Sequence, residues 1–350
     1  MRFLHISDLH LGKRVNEFSM LEDQAYILKE ILNIIDEQKV EAILIAGDIY
    51  DKVIPSAEAV RLLDDFLTRI AARELPVFLI SGNHDSAERI AFGSRLMSSR
   101  QIYLSPVFES DVEPVTISDR YGEINIYMLP FVKPSLVKRV YPEEEIITYQ
   151  DAVNVAVQHM QIDTDKRNIL LAHQFVTGAA RCDSEELSVG GVDDVDASVF
   201  DGFDYVALGH IHGPQNIGSV TVRYSGTPLK YSFSEEKHEK SVTVVDMYEK
   251  GCVSVHTVPL IPFRDMKTIK GSYMDIMSKQ FYEDIKTDDY MRVILTDEDD
   301  IPDAAARIRI VYKKEILYGE NVECYYEEQN NKHIITAKSQ DNINAIIELS

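Results

Sequence analysis

Short apolar runs separated by helix-length amphipathic stretches organise the first half of the chain. Phe3–Ile6, Ala42–Ala46 and Val77–Ile80 are dominated by apolar residues without strict alternation, as in strands buried on both faces. Between the first two runs, Leu21, Ile27, Leu28, Ile31, Leu32 and Ile35 recur at helical spacing. Ser19 and Glu22 form a capping-box pattern that predicts the start of this helix at Ser19. Pro55–Ser56 opens a second helix through Val60, Leu63, Phe66, Leu67 and Ile70. The resulting βαβαβ order predicts a parallel sheet covered by helices on both faces.

Further along, Ile124–Leu129 reads as a strand, Asp151–Met160 as a helix, and Ile169–Ala172 and Tyr205–Leu208 as buried strands. Val220–Tyr224, Ser241–Met247 and Val253–Val258 are short alternating segments that predict an antiparallel β region. Pro259 and Pro262 mark a boundary. From about Arg264, a helix over Met274–Phe281, a strand over Tyr290–Leu295, a helix starting at Pro302 and a strand over Asn321–Tyr326 predict a small α+β domain. Neither an internal repeat nor a low-complexity segment interrupts this order.

A length of 350 residues accommodates one large and one small domain. No apolar run is long enough to cross a bilayer, and Asp8 and His10 break any signal-peptide layout. Cys182, Cys252 and Cys324 stand far apart without CxxC spacing, which argues against a disulfide framework and against cysteine-ligated zinc. The expectation is a soluble cytoplasmic protein. Net charge changes the picture: it is −22, and residues 265–350 hold 18 acidic and 11 basic side chains, a net of −7 that leaves −15 for the rest. No whole domain is therefore basic, and most of this charge reads as solubility. A nucleic-acid substrate would require local basic patches, metal ions or a partner to supply the attraction.

The candidate chemistry lies where the buried strands stop. The five strands run into Asp8-Leu9-His10, Gly47-Asp48, Gly82-Asn83-His84-Asp85, His173, and Gly209-His210-Ile211-His212. Ligands of open parallel sheets bind beyond the carboxyl ends of the strands, so these clusters meet if the strands are neighbours. Five of the ten histidines fall in these clusters, more than scattered structural histidines would supply. Carboxylate, amide oxygen and imidazole donors suit Mn²⁺, Fe²⁺ or Zn²⁺ better than Ca²⁺ or Cu⁺. They suffice for two cations sharing a carboxylate, which would bind phosphate oxygens, activate a water and stabilise an in-line displacement. A further imidazole would protonate the leaving oxygen.

This ordered series resembles the motifs of the calcineurin-like metallophosphoesterases over about residues 1–260. Narrower segments resemble the SbcD-type nucleases: His5–Gly12, Ala46–Asp51, Ala172–Val176 and Tyr224–Ser232. The resemblance implies a four-layer α/β/β/α sandwich over 1–263 and a capping domain over 264–345. It assigns one cation to Asp8, His10, Asp48 and His212, and the other to Asp48, Asn83, His173 and His210. Mn²⁺ is the implied ion, with Mg²⁺ or another divalent transition metal as substitutes, and His84 becomes the acid that assists the leaving group. Asp51 stands near where some relatives carry a second active-site histidine, so that role is not transferred to it. The implied partners are an SMC-like ATPase of the SbcC type, DNA ends and hairpins, and a second copy of the chain within a heterotetramer. The ATPase-binding helical segment is expected beyond the capping domain, near where this chain ends. A chain truncated there would keep nuclease activity and lose the ATPase contact.

Plainer roles fit the remaining candidates. His5 alternates away from Asp8 and reads as a hydrogen-bonded core histidine. Asp85 either orients His84 or caps a helix. Surface or core roles suit His159, His238, His256 and His333. Gly190-Gly191 reads as a flexible loop, which the resemblance places at the active site. Tyr231 and Phe233 read as packing rather than as a stacking platform for bases, and Asp297–Asp300 as a solvated loop. Three functions compete: a Mn²⁺-dependent exo- and endonuclease, a phosphoesterase acting on small phosphodiesters or phosphoproteins, and a non-catalytic scaffold of the same fold. Retention of every ligand position counts against the last.

Overall fold

The computed structural model describes residues 1–16, 18–183, 185, 194–299 and 301–319, with the strands Glu323–Gln329, Lys332–Lys338 and Ile347–Glu348; side chains are described through residue 314. Two compact units, Met1–Phe263 and Arg264–Ser350, divide the chain. Among the described residues, no helix is long and apolar enough to cross a membrane.

Two six-stranded sheets form the first unit. In one, Arg2–Ile6, Ala42–Ala46, Val77–Ile80 and Ile102–Leu104 run parallel, and Ser241–Met247 with Val253–Pro259 extend the other edge antiparallel. In the other, Gly122–Met128, Arg167–His173, Tyr205–Gly209 and Ser219–Tyr224 are parallel neighbours, flanked by Val115–Asp119 and Gln215–Ile217. The predicted antiparallel region is thus divided between two sheets. Ser219–Tyr224 pairs parallel with Tyr205–Gly209, whereas the two later segments join the first sheet.

Phe3, Ala42, Leu44, Phe78 and Ile80 from the first sheet meet Ile126, Ile169, Leu171, Tyr205 and Ala207 from the second in one buried cluster. The parallel sheet therefore has helices on one face and a second sheet on the other, not helices on both. Leu4, Ile6, Ile43, Ile45 and Leu79 occupy its opposite face and are equally buried. Helices Leu21–Glu37 and Ala57–Ala71 bring their buried stripes to that side. Pro134–Val140 and Tyr149–Gln158 cover the outer face of the second sheet, packing Val137, Ala152, Val153 and Ala156 near Leu170, Ala172, Val206 and Leu208. Four layers result, α/β/β/α. Both faces of each central strand are buried, which is why their sequences show no alternation.

Helix starts follow local chemistry unevenly. Ser56 accepts from Ala59 N, and Thr148 forms a reciprocal capping box with Asp151. Ser19 forms none: it pairs with Arg14 in a two-residue strand, and the helix begins two residues later with Met20 as its cap.

In the second unit, Met266–Gly271, Tyr290–Leu295 and Glu315–Gly319 form a parallel sheet. Ile276, Met291, Val293, Ala304, Ile308 and Tyr312 make its core. The expected helix over Met274–Phe281 is two single turns, Tyr273–Ile276 and Lys279–Tyr282. The later helix spans Ala304–Val311 behind a left-handed Asp303, so Pro302 lies in the preceding turn rather than at the first helical position.

Candidate metal centre

Left-handed backbone turns gather the polar clusters. Asp8, His10, Asp48 and His210 have φ of 53°, 43°, 49° and 104°, conformations that non-glycine residues adopt at a cost of about 1–3 kcal/mol each. Main-chain bonds hold the first two turns together: Asp8 N donates to Gly47 O at 3.0 Å, His10 N to Asp48 O at 2.9 Å and Leu11 N to Ile49 O at 2.9 Å. The second sheet closes on the first at Gly209, where a Cβ would stand 1.8 Å from the carbonyl oxygen of Ala46. Only a residue without a side chain allows that approach.

Asp48 occupies the centre. Its Oδ2 lies 3.3 Å from His173 Nε2, 3.7 Å from His10 Nε2 and 3.9 Å from His84 Nε2, and its Oδ1 accepts from His84 N at 3.0 Å. On one side, Asn83 Oδ1 is 3.0 Å from both His173 Nε2 and His210 Nδ1. On the other, His10 Nε2 faces His212 Nε2 at 3.2 Å, and Asp8, His10 and His212 bring their donor atoms within 4.8 Å of one another. All seven residues proposed from the sequence as ligands are therefore drawn into one cluster, with His84 at its edge.

Burial holds His10 well below the ordinary imidazole value and, with His173 nearby, lowers His210 to about 3. Burial also lifts Asp8 to about 6. Against burial, His173 holds Asp48 well below the carboxylate range, and Asp48 raises His173 to about 9. His10 Nδ1 is buried without a hydrogen-bond partner, and the ring nitrogens of His10, His212, His173 and His210 converge on one another and on Asn83 Oδ1. Such a set of mixed oxygen and imidazole donors fits a pair of divalent transition cations.

The supporting candidates take other positions. Asp85 accepts from Ile49 N, Tyr50 N and Gly82 N at 3.0, 2.9 and 2.9 Å. It fastens two site loops together; it neither orients His84 nor caps the following helix, which Ser86 caps. Asp51 pairs through its carboxylate with Lys13 at 2.8 Å, and its main-chain oxygen lies 3.1 Å from His84 Nδ1. His5 is a buried core histidine between Tyr205 Oη and the Leu208 carbonyl. Tyr231 is buried, donating to the Leu9 carbonyl at 2.6 Å and accepting from Gln24. It packs beside His10, as Phe233 packs in the turn that follows. Gly190 and Gly191 lie outside the described residues.

Several contributors escaped the sequence reading. Gln24 donates to the His10 carbonyl at 2.8 Å from the helix Leu21–Glu37. Glu235 Oε1 stands 3.4 Å from His212 Nδ1. Cys182, whose spacing argued only against cysteine-ligated zinc, brings its thiol within 4.8 Å of donor atoms of His212 and Glu235. Against burial, Cys182 and Glu235 raise His212 to about 10. None of these residues sits in a spaced motif; a buried Glu in a polar turn gives no periodic signal.

Residues 1–214 match the family profile of the calcineurin-like phosphoesterases. The chain belongs to that family and is a metal-dependent hydrolase. Within it the chain falls with the SbcD proteins: it is 35% identical over 345 residues to the SbcD component of the nuclease SbcCD of Staphylococcus epidermidis, covering 97% of this chain and 90% of that protein. Residues 262–341 match the SbcD C-terminal profile described as a type 5 capsule protein repressor C-terminal domain. Among solved structures, a dimetal phosphatase from Danio rerio is 13% identical with a TM-score of 0.41, covering 74% of this chain and 99% of that one. Protein TT1561 of Thermus thermophilus is likewise 13% identical with a TM-score of 0.41, covering 73% and 98%.

Proposed function

We propose that the chain is the nuclease component of an SbcC–SbcD-type complex and hydrolyses DNA phosphodiesters with two divalent cations, Mn²⁺ first among them. The observation that carries this reading is the position of Asp48, whose carboxylate lies between the His10–His212 pair and the Asn83–His173–His210 group. Asp8, His10, Asp48 and His212 would hold one cation, and Asp48, Asn83, His173 and His210 the other. Cations held there would bind phosphate oxygens and offset the charge of the displacement.

His84 supplies the acid. The Asp51 carbonyl at its Nδ1 turns Nε2 toward Asp48, the side from which a leaving oxygen can take a proton. Asp85 and the zipped turns keep these groups fixed, so that little reorganisation accompanies the reaction. In this reading residues 1–263 form the nuclease domain, 264–345 the capping domain, and a cytoplasmic SMC-like ATPase is the partner. The net charge of −22 supports a division of labour in which the cations, a second copy and the ATPase supply much of the hold on DNA.

Incubation of the protein with Mn²⁺, a DNA hairpin, a blunt duplex and a small chromogenic phosphodiester tests the assignment. Cleavage of the DNA substrates is expected. Turnover of the small diester alone sinks the nuclease reading, and absence of bound Mn²⁺ together with absence of any turnover points to a scaffold.

A further inference from the structure

Behind His212 lies a buried ion pair that the proposed hydrolysis does not itself use. Glu235 is fully buried and Lys240 nearly so. Lys240 Nζ lies 2.5 Å from Glu235 Oε2, 2.6 Å from Thr227 Oγ1 and 2.9 Å from the His212 carbonyl. Glu235 Oε1 accepts from Tyr231 N at 3.3 Å and lies 3.4 Å from His212 Nδ1. Thr227 Oγ1 is 3.3 Å from Glu235 Oε2, completing the enclosure.

A buried pair of this kind is a poor device for stability. Each ion loses its hydration, and apolar side chains of the same volume commonly serve a core equally well. What distinguishes this pair is its aim: one member addresses the His212 ring and the other the His212 main chain. His212 Nε2 meanwhile faces the donor cluster, 3.2 Å from His10 Nε2. A carboxylate that accepts from Nδ1–H keeps the ring proton on that side and leaves the Nε2 lone pair for a cation, the tautomer control that metal-binding histidines require.

We propose that Glu235, anchored by Lys240, is a positioning residue that fixes the tautomer and orientation of His212 at one of the two cation positions. Lys240 holds the carboxylate in place and ties the His212 backbone to the same point, so ring and main chain move together. The proposal rests on His212 being a cation ligand, as set out above.

Calorimetric titration of metal-free full-length protein with Mn²⁺ tests it. Wild type is expected to bind two ions. Glu235→Gln should weaken one of them about 10–100-fold and leave the other near its wild-type affinity. The double variant Glu235→Gln/Lys240→Met removes both buried charges together and should fold while showing the same selective weakening. Wild-type binding of both ions by the double variant would show that the pair serves only the fold, and would overturn the proposal. Wild-type protein that fails to bind two ions would instead overturn the reading of His212 as a ligand.

A second readout needs no substitution at the pair. In ¹⁵N-histidine-labelled wild type loaded with Zn²⁺, the His212 signal, assigned by its loss in His212→Asn, should show the proton on Nδ1. A proton on Nε2 with the ion at Nδ1 contradicts the proposal even if both pair variants fail to fold.

Discussion

The same two strands end in opposite ways. Arg2–Ile6 and Arg167–His173 begin at a cluster of matched charges and finish at a cluster of donors. At the near end, Arg167 donates to Asp119 at 2.6 Å and to the carbonyls of Gly122 and Tyr248, while the terminal ammonium of Met1 reaches Asp119 at 2.6 Å. Arg2 meets both carboxylate oxygens of Asp246. Each of these cations reaches a carboxylate, Asp119 serving both Arg167 and the terminal ammonium. At the far end, Asp8, Asp48, His173 and their neighbours crowd together with no Lys or Arg among the seven donors, on backbone held in left-handed turns. One end joins the two sheets and stabilises them. The other spends conformational freedom to hold groups that need a cation to be at rest.

The sharpest break in this symmetry is Asp48→Asn. It should abolish binding of both cations and lower activity by roughly 10³-fold or more, since several kcal/mol of charge stabilisation leave with them; metal analysis and cleavage assays check both parts. His84→Gln should lower the rate about 10²–10⁴-fold while both cations remain bound. Equal loss of metal in that variant would contradict its role as an acid.

At the opposite end, Asp119→Ala should leave the activity per folded molecule unchanged but cost about 3–5 kcal/mol of stability, because Arg167 stays buried without its carboxylate. Chemical denaturation measures this. Against burial, Arg167 and the terminal ammonium hold the Asp119 carboxyl below its usual 3.8. Its contribution is therefore fully present above about pH 4 and is lost as pH falls below that value toward the folded-state pKa. Wild type should lose stability over that range, and Asp119→Ala should lose less. The smallest effect is expected at Ser19→Ala, within about 0.5 kcal/mol, because its hydroxyl accepts only a long 3.5 Å bond from Leu21 N, against about 1 kcal/mol for Thr148→Ala in its capping box.

How much of this was legible in the sequence follows from what each signal measures. Runs such as Ala42–Ala46 reveal burial on both faces, and the polar residues that stop them reveal the site. The same runs cannot tell a covering helix from a covering sheet, since either buries the second face; the facing sheets were therefore invisible to patterning and entered through the family resemblance alone. Ser19 misled for a related reason. Its capping pattern is local, whereas its pairing with Arg14 depends on a hairpin that two-residue strands do not announce. Met266–Gly271 escaped because its burial is partial and broken by lysines. Gln24, Glu235 and Lys240 reach the site from a helix face, a turn and a strand edge, so no spacing rule connects them.

The contact at Gly209 has a mechanical consequence. Where this residue meets the Ala46 carbonyl, the separation of the sheets is limited by main-chain atoms in direct opposition, not by the volume of the side chains between them. Backbone of this kind works as a hard stop. The spacing between the donors that follow Ala46 and Gly209, Asp48 on the first sheet and His210 on the second, is thereby insulated from the slow drift of core residues such as Leu44 and Leu171, which can change shape without altering it.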